Sequence, residues 1–203
     1  MEANIEIFDT IIRMITENGL KSLTMDRVAA TLGMSKRTLY EIFGSKACMI
    51  QQTLAHYHRE HIKRCDAIFA HSDNVMEGIL SVYRHMRNII AKLHTDFFRD
   101  MDEAFADVKH QYEDFEDKRH KHFLEMFQRG IAEGVFRPDV NFLVQSKMLH
   151  VQMEALKRME ELFPKDLTLV DVYDSIIIGF LRSIASPKGM EILDRIRHAD
   201  SEG

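Results

Sequence analysis

Only three prolines and nine glycines interrupt this chain of 203 residues, and alternating β-branched runs are nearly absent. Long stretches without breakers and without a period of two exclude sheet folds and leave an all-α protein. The two cysteines, Cys48 and Cys65, both fall in helix-like patterns, which excludes a disulfide framework and implies reduced thiols. No run approaches the ~20 apolar residues of a membrane span. The opening residues MEANIEIFDT carry Glu2, Glu6 and Asp9 where a signal peptide needs positive charge, so the expectation is a cytoplasmic protein with no membrane partner. Excess positive charge is missing too. A net charge of -5 excludes whole-surface attraction to nucleic acid, so any such contact has to come from a local patch.

What is present reads as helix after helix. The 45% hydrophobic content supports a packed core. The apolar spacing predicts helices over 3–18, 25–32, 36–43, 46–70, 74–93, 105–133, 140–162 and 169–185. Shorter pieces are expected near 96–101 and 188–197. Gly19, Gly33 and Gly44 stand where left-handed helix ends belong. Thr24, Ser35 and Ser45 then stand where N-caps belong. From Lys46 to Ala70 there is neither Gly nor Pro, so one unbroken helix is expected to lead from the N-terminal module into the rest of the chain.

Met25, Val28, Ala29 and Leu32 share one helix face, and Leu39, Ile42 and Phe43 give the next helix an inward stripe. A short helix, the Gly33-Met34 turn and a second short helix make a helix-turn-helix pattern, whose second helix can enter a major groove. That helix leaves Lys36, Arg37, Thr38, Tyr40 and Glu41 outward. Lys36 and Arg37 occupy its first turn, and Lys46 opens the helix after it. Positive charge is unfavourable at a helix N-terminus, by a few tenths to about 1 kcal/mol each. An anion bound there reverses the sign by pairing with the cations and accepting backbone N–H bonds, and DNA is the obvious one.

The residues Gly19-Leu20, Leu23-Thr24-Met25, Val28-Ala29, Leu32-Gly33-Met34-Ser35, Thr38-Leu39-Tyr40, Phe43 and Ser45-Lys46 carry a resemblance to the DNA-binding domain of the tetracycline-repressor (TetR) family of bacterial transcriptional regulators. The resemblance covers residues 5–50; beyond it, helix order and the GIAEGVFRPDV turn at 130–140 are similar to the family's C-terminal domain. It implies a three-helix DNA-binding domain over 1–46 and a larger helical effector-binding and dimerisation domain over 47–203. It also implies that Thr24, Thr38, Tyr40 and Lys46 contact phosphates while Ser35, Lys36 and Arg37 approach base edges. Arg37 is suited to guanine O6 and N7, and Glu41 to a cytosine amino group. At Ile42 the chain departs from the family's usual side chain, leaving a thymine methyl contact or simple packing.

Helices 140–162 and 169–185 are broadly apolar. The resemblance implies that they pair with their copies in a homodimer, with Met148, Val151, Ala155, Met159, Val172, Ile176, Ile177 and Phe180 at the interface. Thirteen methionines and thirteen phenylalanines raise the prospect of an adaptable apolar pocket. The resemblance sets such a pocket among the middle helices, with Phe97, Phe98, Met101, Phe123, Met126 and Phe127 as candidate walls for a small apolar or amphipathic effector. The expected function is therefore a ligand-responsive regulator, in most such families a repressor, that binds a palindromic double-stranded operator as a dimer and is released by its effector.

Two other classes compete. A helical-bundle metal enzyme needs paired Glu-x-x-His motifs, and no Glu in this chain has His three residues later. No Gly-rich phosphate loop or nucleophile motif occurs either, so no enzyme and no cofactor are expected. His58, His61 and Cys65 share a helix face, but three ligands on one straight helix rarely converge on one ion, so no metal is expected. A DNA-bound structural factor without an effector is the third reading.

Overall fold

The computed structural model describes residues 2–94, 97–105 and 113–201. The helices are α1 (Glu2–Asn18), α2 (Met25–Leu32), α3 (Lys36–Phe43), α4 (Lys46–Ala70), α5 (Val75–Ile90), α6 (Phe97–Phe105), α7 (Glu113–Ala132), α8 (Phe142–Glu154), α9 (Met159–Leu162), α10 (Leu169–Ile184) and α11 (Pro187–Ser201). Among the described residues there is no strand, only an isolated bridge between Phe136 and Ala185. The fold is all-α, as expected. Residues 106–112 of the helix expected over 105–133 lie outside the described residues.

One expected helix differs. The pattern over 140–162 predicts continuity, whereas a 3-10 segment, Ala155–Arg158, separates α8 from α9. Side chains three apart eclipse in a 3-10 turn, and Leu156 and Met159, at that spacing, are both buried. The tighter turn keeps both on the core side.

The chain packs as two compact units, Met1–Arg64 with Lys92–Ala106, and Cys65–Ala91 with Asp107–Gly203. In the first, Ile7, Ile11, Met14 and Ile15 form the buried stripe of α1 and meet Met25, Val28 and Ala29 of α2, Leu39 and Phe43 of α3, and Met49, Ile50 and Leu54 of α4. Each fully buried side chain of this kind contributes about 1.5–3 kcal/mol. Phe97 and Met101 of α6 pack on the same core. The His94 N–H donates to the Thr16 carbonyl at 2.9 Å, and Lys21 pairs with the buried Asp100 carboxylate at 3.3 Å. A segment far along the chain thus belongs to the N-terminal unit.

The second unit is built around Val75, Met76 and Leu80 of α5, Phe127 of α7, Phe142 of α8, Leu181 and Ile184 of α10, and Leu193 of α11. Phe127 and Phe142 stack with ring centroids 3.6 Å apart. Phe136 reaches the same core because α7 has no side chain at Gly130. A Cβ there would lie 2.2 Å from the Phe136 ring. A capping box opens α10: the Asp171 N–H donates to Thr168 Oγ1 at 3.2 Å, and the Thr168 N–H to Asp171 Oδ2 at 2.8 Å. The Thr168 hydroxyl, which donates to Asp171 Oδ2 at 2.6 Å, and then the Thr168 N–H hold the Asp171 carboxyl below the usual carboxylate range.

Candidate nucleic-acid interface

Local sequence sets where α2 and α3 begin and end. The Thr24 hydroxyl accepts from the Arg27 N–H at 3.2 Å and starts α2. Gly33 ends it at φ +65°, with the Gly33 N–H donating to the Ala30 carbonyl and the Met34 N–H to the Ala29 carbonyl. This doubly bonded left-handed ending is open to glycine at no steric cost. Ser35 then caps α3 by accepting from the Thr38 N–H at 3.0 Å. Gly44 also has positive φ, +75°, but its ψ of -46° takes it out of the left-handed helical region expected from the sequence. Ser45 accepts from the Cys48 N–H at 3.1 Å and opens α4 at Lys46.

Buried Leu39 and Phe43 fix the rotation of α3. Ser35, Lys36, Arg37, Thr38, Tyr40 and Glu41 are all exposed, as is Thr24 at the start of α2, while Lys46 is half-buried. Ile42 corrects the sequence reading: it was expected on the inward stripe, yet it is 41% exposed beside a 43% exposed Tyr40. On an eight-residue helix already anchored by Leu39 and Phe43, position 42 falls on the polar side. Ile42 is thus not a core residue of its unit and presents apolar surface beside Tyr40.

The cations have partners that the sequence reading missed. Lys36 Nζ lies 3.0 Å from Asp26 Oδ2 on α2, and Arg37 Nε lies 2.9 Å from Glu41 Oε1 one turn along α3. The hydrogen bond and charge of Asp26 raise the Lys36 pKa above its ordinary value. The Arg37 and Glu41 spacing of four residues was a legible helix pair. The Asp26 and Lys36 pair spans a turn and needed the folded angle between two helices.

The candidate effector residues divide between the two units. Phe97, Phe98 and Met101 belong to the first, where Phe97 and Phe98 meet edge to face at 5.5 Å. Phe123, Met126 and Phe127 belong to the second, where Phe127 is buried and the other two are half-buried. Of the candidate interface residues, Met148 and Val151 are 52% and 68% exposed on α8. Met159, Val172 and Phe180 are already buried within their own unit, and Ala155, Ile176 and Ile177 are half-buried. Leu143 and Val144, which the sequence reading left out of the interface set, join Met148 and Val151 along an open apolar groove. Among the described residues no group of three or more His, Cys, Asp or Glu side chains is arranged to hold a metal ion. His61 stacks on Tyr57 with centroids 6.3 Å apart.

Residues 7–53 match the family model described as bacterial regulatory proteins, tetR family. The HTH-type transcriptional repressor KstR2 of Mycolicibacterium smegmatis is 25% identical over 140 residues, 67% of this chain and 68% of that protein. KstR2 of Mycobacterium tuberculosis is 26% identical over 140 residues, 67% of this chain and 70% of that protein. Among solved structures, a TetR-family transcriptional regulator from Marinobacter aquaeolei superposes with a TM-score of 0.69 at 16% identity, covering 98% of each chain. The ketosteroid transcriptional regulator KstR2 of Mycobacterium tuberculosis gives a TM-score of 0.58 at 19% identity, covering 92% of this chain and 96% of that one.

Proposed function

We propose that this chain, a transcriptional regulator of the TetR family by its helix-turn-helix domain, is a cytoplasmic homodimeric repressor that releases a two-fold DNA operator when a small apolar or amphipathic effector binds. The observation that carries the DNA half is the division of α3 into a buried pair, Leu39 and Phe43, and an exposed face of Lys36, Arg37, Thr38, Tyr40, Glu41 and Ile42. The whole face is exposed on the side a groove would meet. Thr24, Thr38, Tyr40 and Lys46 are assigned to phosphates, which fix position, and Ser35, Lys36 and Arg37 to base edges, which specify sequence. Exposed Ile42 is suited to a thymine methyl group.

Leu143, Val144, Met148 and Val151 support the dimer. Four apolar side chains, each about half or more exposed, follow one another along α8. A contiguous apolar face of this kind marks an interaction surface, and two-fold pairing matches two half-sites. For the effector, the similarity to KstR2 of Mycobacterium tuberculosis, described as a ketosteroid transcriptional regulator, favours an apolar ligand, in keeping with the methionine and phenylalanine content. Helix α4 is the proposed link, since Met49, Ile50 and Leu54 are core to the DNA-binding module and the helix continues unbroken to Ala70. The effector and DNA would then oppose each other reciprocally, typically by about 1–3 kcal/mol.

Selection of duplexes from random DNA by the purified protein tests the reading. A two-fold symmetric site bound by two copies of the chain is the expected result. Recovery of no preferred sequence overturns it.

A further inference from the structure

Both cations in the first turn of α3 are engaged by carboxylates of their own unit, although the fold has no need of either pair. The four side chains are between 49% and 89% exposed, and such pairs contribute little to folding stability. A surface built only for affinity to DNA would carry no acid there, because a carboxylate 2.9–3.0 Å from a cation competes with phosphate for it and repels the phosphate. Lys46, at the start of the next helix, forms no ion pair among the described residues. The acids accompany the two cations assigned to base edges, while the one assigned to phosphate has none.

We propose, resting on the DNA-binding reading above, that Asp26 and Glu41 are specificity-determining residues that withhold Lys36 and Arg37 from non-operator DNA and surrender them only to a matching base edge. On unrelated DNA Arg37 would gain diffuse phosphate charge, which Glu41 already supplies. On guanine it gains two aligned acceptors, O6 and N7, that a single Glu41 oxygen does not match. Glu41, once released, has a use of its own on the operator as acceptor from a cytosine amino group, and only a repulsive one elsewhere. Discrimination thus arises by weakening the wrong complexes as well as by strengthening the right one. Asp26 does the same for Lys36, whose Nζ it meets at 3.0 Å.

The test uses the near-isosteric variants Glu41→Gln and Asp26→Asn in the full-length protein. Binding is measured to the tightest duplex that the unmodified protein selects from random DNA and to a base-shuffled copy. Each variant is expected to bind the shuffled duplex about threefold to tenfold more tightly, as loss of one exposed competing charge per protomer implies. Affinity for the selected duplex should stay within twofold or fall, so that the ratio between the duplexes shrinks. In an Arg37→Ala background, Glu41→Gln should tighten the shuffled duplex clearly less than it does with Arg37 present, since only repulsion of phosphate is then relieved. If it tightens binding there equally, simple repulsion of phosphate replaces competition for Arg37. If the unmodified protein selects a site but both variants bind the shuffled duplex unchanged, this inference is overturned and the DNA-binding reading stands. If the unmodified protein selects no site, both fall together.

Discussion

Replacing Lys46 by alanine separates the DNA-contact role from any structural one, because the two predict changes of opposite sign. Lys46 is the first residue of α4, directly after the Ser45 cap, where the helix dipole disfavours its charge. Its removal should leave the folded protein as stable as before or more stable by a few tenths of a kcal/mol. In the proposed complex the same charge would neutralise one phosphate per protomer, and each such contact contributes about 0.9 to the slope of log affinity against log salt. At roughly 0.15 M salt that slope corresponds to about fivefold in affinity per contact, hence about thirtyfold, or ~2 kcal/mol, for a dimer. The loss should apply equally to operator and shuffled duplexes, because phosphate carries no sequence information. Lys36→Ala should reduce the slope less, since Asp26, 3.0 Å away, already neutralises that cation in the free protein. Fluorescence anisotropy titrations at four salt concentrations, beside urea unfolding curves, measure both quantities. An unaltered slope for Lys46→Ala refutes the claim that the cations at these helix starts answer to phosphate.

Leu39→Ala should destabilise the first unit by about 2–5 kcal/mol, whereas exposed Ile42→Ala should change stability by less than about 0.5 kcal/mol and weaken preference at one A·T pair in each half-site; denaturation and site selection check these. Gly33→Ala, forced to φ +65°, should lose about 1–2 kcal/mol and lower Tm by several degrees, measured by thermal circular dichroism. Val151→Glu on the exposed face of α8 should shift the mass seen by light scattering from dimer toward monomer while helicity is unchanged; a dimer that persists at low micromolar concentration defeats the proposed interface. Asp171→Asn should lower stability most at neutral pH. The Asp171 pKa is depressed by folding, so its stabilisation is present above the ordinary value of 3.8 and fades as pH falls through the folded one, and the difference between parent and variant in urea titrations should shrink as the pH is lowered.

Local signals in the sequence determined the helix-turn-helix module. Thr24, Gly33, Ser35 and Ser45 each act through bonds to residues within four positions, so their caps and turns are readable without any tertiary contact. The 3.6-residue period likewise marked Val28, Ala29, Leu39 and Phe43 as core and left Lys36, Arg37 and Tyr40 outside, because helical geometry alone decides which side chains share a face. Short-range rules stop where a face is shared among several neighbours. Ile42 sits at the edge of the apolar arc, and only the packed angle of α2 against α3 decided that it faces water. The same angle brought Asp26 to Lys36 across ten residues. Tertiary packing also gave α6 to the first unit, through Asp100, Phe97 and Met101, because the partner of a buried surface so far along the chain leaves no periodic trace in sequence. Within the broadly apolar 140–162 segment, periodicity did not distinguish an inward from an outward face. Packing did, by burying Leu156 and Met159 and leaving Leu143, Met148 and Val151 in water.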